Sequence, residues 1–197
     1  MIEFNAENRI QGLHKNEKLN AIGQEQASKL GKALRNVPID GVFSSAMTRA
    51  VETAAYIYEH HPQAKLGQIK GLEEMDYGIL EGQLIGDNIQ FIQEMISQKW
   101  LKGDLNEAWP SGESPREVEE RSTTALREFL IKESFQHLAV VCHSSINRVL
   151  LASLGHLNLM AFEHIDQGNT CINIIDYDPV LRNFTIRISN YTDHLSV

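Results

Sequence analysis

The chain has 197 residues, of which 42% are hydrophobic and 22% charged, and its net charge is −8. That length and apolar fraction suit one domain with a real core. The negative balance argues against long-range attraction to nucleic acid or an anionic membrane, so an anionic substrate would need a local cluster of positive groups.

In chain order, Met1 to Gly12 is polar and reads as a loop. Asn20 is placed to cap a helix over Ala21 to Arg35, where apolar residues fall at helical spacing. Gly41-Val42-Phe43 reads as a short strand ended by Ser44-Ser45. The spacing of Ala50, Ala54, Ile57 and Tyr58 then predicts a helix from about Met47 to His60. Gln68-Ile69 is a weak strand candidate, and Ile89 to Trp100 reads as a helix. Lys102 to Pro115 is a loop rich in Gly, Pro, Ser and Asn. Pro115 suits the first turn of a long helix capped by Ser114 and running to about Ser134. Ala139 to Cys142 predicts a strand and Ile146 to Leu154 a helix. Cys171 to Tyr177 and Phe184 to Ser189 predict two late strands, neighbours across the Asp178-Pro179 turn. Strands alternating with helices argue for an α/β layered domain.

No apolar run approaches a membrane span, and the first residues do not read as a secretory signal. Cys142 and Cys171 each lie in an apolar stretch and read as small buried hydrophobes, which fits a reducing, cytoplasmic setting. No spacing suggests a metal site.

Four segments place phosphate-binding or acid–base residues after a strand or at a loop tip. The first, Asn5 to Gly12, offers amide donors, Arg9 and a glycine turn. In the second, Ser44 and Ser45 can cap the helix, and Arg49 in its first turn can reach back over the strand end toward an anion. The third, Leu72 to Gly82, holds Glu73, Glu74, Asp76 and Glu81 between glycines, and one of these could protonate a leaving oxygen. The fourth puts His143 at the carboxyl end of a strand beside a helix N-terminus, where phosphate sites form in α/β proteins.

Together these segments resemble the histidine phosphatase superfamily, also called the phosphoglycerate mutase-like family, on its phosphatase-type branch. The likeness rests on the Ser-Ser-x-x-x-Arg-Ala turn at Ser44 and the Glu-x-x-x-Gly-x-x-Glu-Gly loop at Glu74. It also rests on Pro110-Ser111-Gly112-Glu113-Ser114 and Gly168-Asn169-Thr170-Cys171-Ile172. It implies a three-layer α/β/α fold with a mostly parallel sheet, in a single domain over residues 1–197 with a specificity or cap insertion at about 82–115. It implies a metal-independent phosphomonoesterase with no cofactor, working through a phosphohistidine on a small phosphorylated metabolite. No nucleic-acid or membrane partner is implied, and a homo-oligomer is compatible.

By the match, His143 resembles the family's second histidine, Arg49 a phosphate-clamping arginine and Glu74 the acid. Asn5 and Gln11 resemble first-loop residues around the phosphate and the mouth. Ser144 resembles the residue whose backbone amide faces the phosphate, where glycine or asparagine is more usual. An anion held between Arg49 and protonated His143 would have its spreading charge stabilised. Glu74 near that anion would have the raised pKa a general acid needs.

The pattern breaks at the start. The family's Arg-His-Gly motif would fall before Met1, so its nucleophilic histidine, its arginine and the central strand that carries them are expected to be missing. Without a nucleophile the covalent route is closed, at a cost of roughly 10⁶ in rate. Without the strand, two neighbours are left with unpaired edges. The expectation is an inactive or shortened phosphatase. The alternative is a non-catalytic module that holds an anionic ligand or partner. A mutase ranks lower, because Gly82 to Asn88 is short and not basic. His14, in the loop after Gly12, is the leading candidate among the remaining histidines for a compensating group.

Overall fold

The computed structural model describes residues 1–196, and the side chains of Phe4 and Asn5 lie outside the described ones. The elements in order are α1 (Glu3–Ala6), α2 (Ala21–Leu34), β1 (Gly41–Ser44), α3 (Thr48–Tyr58), β2 (Lys65–Gln68), α4 (Asp87–Leu101), α5 (Pro115–Lys132), β3 (Leu138–Val141), α6 (Ser144–Leu154), β4 (Ile172–Asp178) and β5 (Asn183–Tyr191), with short 3₁₀ turns between.

Local chemistry explains the ends of the two best-defined helices. Asn20 Oδ1 accepts from Gly23 N at 2.9 Å and starts α2. Ser114 and Glu117 form a capping box at the start of α5, with Pro115 in its first turn. The α3 boundary differs from expectation. Ser44 and Ser45 do not cap it in the usual way, because Ser44 Oγ donates to Ser45 O at 2.8 Å and the helix begins at Thr48. The opening segment is not all loop, since α1 forms a single helical turn.

β2, β1 and β3 form a parallel sheet in that order. Every residue of β1 is buried. Val42 packs with Leu30 of α2 and Ala54 and Ile57 of α3. Phe43, on the other face, joins the larger core with Leu126 of α5 and Val149 and Leu150 of α6. Helices therefore cover both faces of the sheet, which is the three-layer arrangement expected.

β4 and β5 pair antiparallel as a separate two-stranded sheet. The sheet is thus divided between β3 and β4. Val140 and Cys142 pack on the same core as Ile175 and Tyr177. Ala139 and Val141 pack on the other core with Ile172. β3 and β4 thus share both faces of one layer without pairing. Cys142 and Cys171 line the gap, so both are free and half-buried rather than fully buried as expected. No helix among the described residues is long and apolar enough to cross a membrane.

Candidate active site

The site forms where β1 and β3 end side by side. β1 delivers Ser45 and, through the first turn of α3, Arg49; β3 delivers His143 as the N-cap of α6. The loop between β2 and α4 brings Glu74. Arg49, Glu74 and His143 are all buried, and all three line one cavity of about 1470 Å³.

His143 Nε2 lies 2.6 Å from Ser45 Oγ. Ser45 Oγ also accepts from Met47 N at 3.4 Å. Burial, with the charges of Arg49 and Arg121, holds the imidazole well below the ordinary histidine range. His143 is therefore neutral here. A desolvated ring facing two guanidinium groups keeps a proton only when an anion supplies opposing charge. Arg49 donates to Lys15 O at 3.1 Å and Gly12 O at 3.4 Å. Burial lowers its pKa, while Glu74, Glu81 and Glu17 oppose that shift.

Four carboxylates crowd the loop, and the structure separates their roles. Glu73 accepts from Gly71 N at 2.7 Å, and Asp76 from Gly78 N at 2.7 Å. Glu81 accepts from Tyr77 N at 3.2 Å and His14 N at 2.9 Å. Each of these stabilises a turn. Glu74 is the only one of the four that lines the cavity. Its Oε1 accepts from Met75 N at 2.9 Å, and its Oε2 from Ser145 N at 3.4 Å at the start of α6. Burial raises its pKa above the ordinary glutamate value, against the lowering pull of those amides and of Arg49. The shift matches the one expected, but its cause is desolvation by the protein itself.

That shift gives a pH prediction. The folded state holds the Glu74 proton more tightly than the unfolded chain does. Its contribution to stability is therefore present in full below the ordinary glutamate range and is lost as pH rises through the raised value. Glu74→Gln removes that loss. Thermal melts should show the variant matching the parent near about pH 4 and exceeding it at about pH 8. A variant that melts lower at both would show that Arg49 holds this carboxylate charged.

Two further residues set the loop. Arg121 of α5 grips Glu113 through two bonds, at 2.6 and 2.8 Å. It also donates to the carbonyls of Gly71, Glu73 and Glu74 at 3.0, 3.0 and 3.2 Å. Gly78 has φ +55°, and a Cβ there would meet Pro110 O at 2.1 Å. The acidic loop and the Pro110-Ser111-Gly112 segment thus touch backbone to backbone. Gly78→Ala should cost about 2–4 kcal/mol, read as a fall in the denaturant midpoint, because positive φ and a rigid clash add.

The histidine phosphatase superfamily (branch 1) matches residues 1–187. The chain belongs to this superfamily. A broad-specificity phosphatase of Saccharomyces cerevisiae is 30% identical over 200 residues, covering 98% of this chain and 83% of that one. A protein of Klebsiella pneumoniae named as a probable phosphoglycerate mutase is 29% identical over 175 residues, covering 89% of this chain and 80% of that one. Among solved structures, the alpha-ribazole phosphatase of Shigella flexneri aligns with a TM-score of 0.78 at 26% identity, covering 94% of this chain and 90% of that one.

Of the residues that the histidine phosphatase pattern singled out, Arg49, His143 and Glu74 come together. Gln11 lines the same cavity, and its Nε2 has no protein partner among the described residues. Ser144 also lines the cavity, at the first helical position of α6 and exposed. The amide engaged by Glu74 belongs to Ser145, one residue on. The Asn5 side chain lies outside the described residues. His14 is at the mouth, 3.0 Å from Asp76, and does not line the cavity. Sequence reasoning missed Ser45 as the partner of His143 and Arg121 as the support of Glu74. The Ser-Ser pair before Arg49 was the only local signal for the first. Arg121 carried none, since it sits among charged neighbours on a long helix.

Proposed function

We propose that these residues form the phosphate-holding and acid-bearing part of a metal-independent phosphomonoesterase acting on a small phosphorylated substrate. The observation that supports it is the convergence of Arg49, His143 and Glu74 on one buried cavity. Arg49 supplies a fixed positive fork for the phosphoryl oxygens. An arriving phosphoryl dianion supplies the negative charge that His143 needs to take a proton, so the imidazole becomes a donor only when ligand is present. Glu74, whose carboxyl burial pushes above the ordinary glutamate range, is the donor to the leaving alcohol. Gln11 adds a free amide donor beside them.

The phosphohistidine route needs a second histidine in line with the phosphoryl group. Among the described residues, the histidines lining the cavity are His137 and His143, and His137 lies at the opposite end of β3. The 197 residues are proposed to supply the groups that hold the phosphoryl oxygens and the acid of that route. The segment at about 82–115 is proposed as the cover that sets specificity. Ile85 and Gln93 reach the cavity and Phe91 and Met95 are exposed, whereas Trp100 and Trp109 belong to the core. Residues 82–88 carry no Lys or Arg, which disfavours a mutase that must hold a second phosphate.

The test adds a strand ending in Arg-His-Gly ahead of Ile2 and measures phosphate release from p-nitrophenyl phosphate. A gain of several orders of magnitude, abolished again by His143→Ala, is expected. A restored chain that stays inactive would refute the reading.

A further inference from the structure

Met47 touches all three parts of the site through three different atoms. Its N–H donates to Ser45 Oγ at 3.4 Å, and that oxygen lies 2.6 Å from His143 Nε2. Its carbonyl accepts from Ala50 N at 2.9 Å and Val51 N at 3.0 Å, which starts α3 and fixes the turn that carries Arg49. Its Sδ accepts from Glu74 N at 3.4 Å. Among the described residues that thioether is the sole hydrogen-bond partner of the Glu74 amide. Met47 is buried, and a buried N–H with no acceptor is costly, so the contact matters. Glu74 is held at three more atoms. Arg121 of α5 donates to its carbonyl, Met75 N of its own loop to Oε1, and Ser145 N of α6 to Oε2. Of these four holds, only the one from Met47 comes from the β1–α3 side.

We propose that Met47 is a positioning residue for the acid: its thioether fixes the Glu74 main chain relative to Arg49 and His143, so that the proton donor and the phosphate-holding groups keep one spacing. This rests on the reading of Glu74 as the donor to the leaving alcohol. A thioether suits the place. It is a soft acceptor on an unbranched stem, so it fills the core between β1 and the acidic loop and still meets an N–H. Leucine has nearly the same volume but offers no acceptor. Without the contact, the Glu74 amide has to turn toward water, and the carboxyl moves with it. A misplacement of about 1 Å at such a site can cost roughly 10²-fold in rate. The neighbouring thioether of Met75 cannot take over, because it already accepts from Trp109 Nε1 at 3.1 Å.

The test compares the full chain with its Met47→Leu and Met47→Gln variants by NMR. In Met47→Leu the Glu74 amide should exchange at least about tenfold faster, while the amides of β1 and α3 do not change. Water reaching the freed amide should also move the titration of the Glu74 carboxyl from its raised value toward the ordinary glutamate range. Inorganic phosphate, held through Arg49, should bind within about twofold of the parent affinity. Met47→Gln returns an acceptor at the same reach and should restore both the protection and the titration. Unchanged exchange at Glu74 in Met47→Leu would overturn the proposal. So would equal loosening across β1 and α3, or a glutamine variant that behaves like the leucine one. Glu74 titrating in the ordinary range in the parent would overturn its reading as the acid, and the proposal with it. A raised parent value that Met47→Leu leaves unmoved would overturn the role of Met47 alone.

Discussion

Replacing Arg121 with methionine should destabilise the protein by about 2–3 kcal/mol, a large effect for a change outside the apolar cores. One guanidinium satisfies Glu113 twice and three carbonyls of the loop that carries Glu74. Methionine keeps the volume and removes every donor. Glu113 then remains, only about a fifth exposed, with its negative charge uncompensated. That partial exposure keeps the cost below that of a fully buried pair. Denaturant unfolding gives the number. The loop should also loosen, so the amides of residues 71–76 should exchange faster under conditions where α2 and α3 are unaffected. A variant as stable as the parent, with unchanged exchange in that loop, would show that the backbone contacts at Gly78 are enough to hold it.

Arg49→Ala should weaken the binding of inorganic phosphate by roughly tenfold to a hundredfold, read by titration calorimetry, because a charge-assisted hydrogen bond contributes about 1.5–3 kcal/mol. Arg49 is already desolvated and anchored to Gly12 and Lys15, so it meets an anion without further ordering. Arg49→Lys keeps the charge but loses the planar fork, and should fall between parent and alanine variant. Equal affinity in all three would remove Arg49 from the site.

The parts of this molecule that were legible in the sequence are those decided by neighbours in the chain. The Asn20 cap, the Ser114-Pro115-Glu117 start of α5 and the turn joining β4 to β5 are encoded within a few residues. So is the placement of Arg49 and His143 at strand ends, because each follows an apolar run directly. β2 was harder. It has four residues, mostly exposed, with no buried face to create a period. The choice among Glu73, Glu74, Asp76 and Glu81 was beyond local reading, although the family pattern pointed to Glu74. Three of them meet amides within or beside their own turn, and only the arrival of α6 buries the fourth. Ser45 and His143 are 98 residues apart, and Arg121 meets the loop across about fifty, so neither contact leaves a trace at short range. The neutral state of His143 follows from the same long-range packing.

The central claim is that an anion entering between Arg49 and Glu74 is received by His143. Titration of the His143 ring by NMR, without and with saturating phosphate, tests it most directly. Without phosphate the imidazole should remain neutral well below the ordinary histidine range. With phosphate its protonation should move to higher pH, and the shift should be lost in Arg49→Ala. An imidazole whose titration ignores phosphate while the protein binds it would place the anion elsewhere and contradict the account.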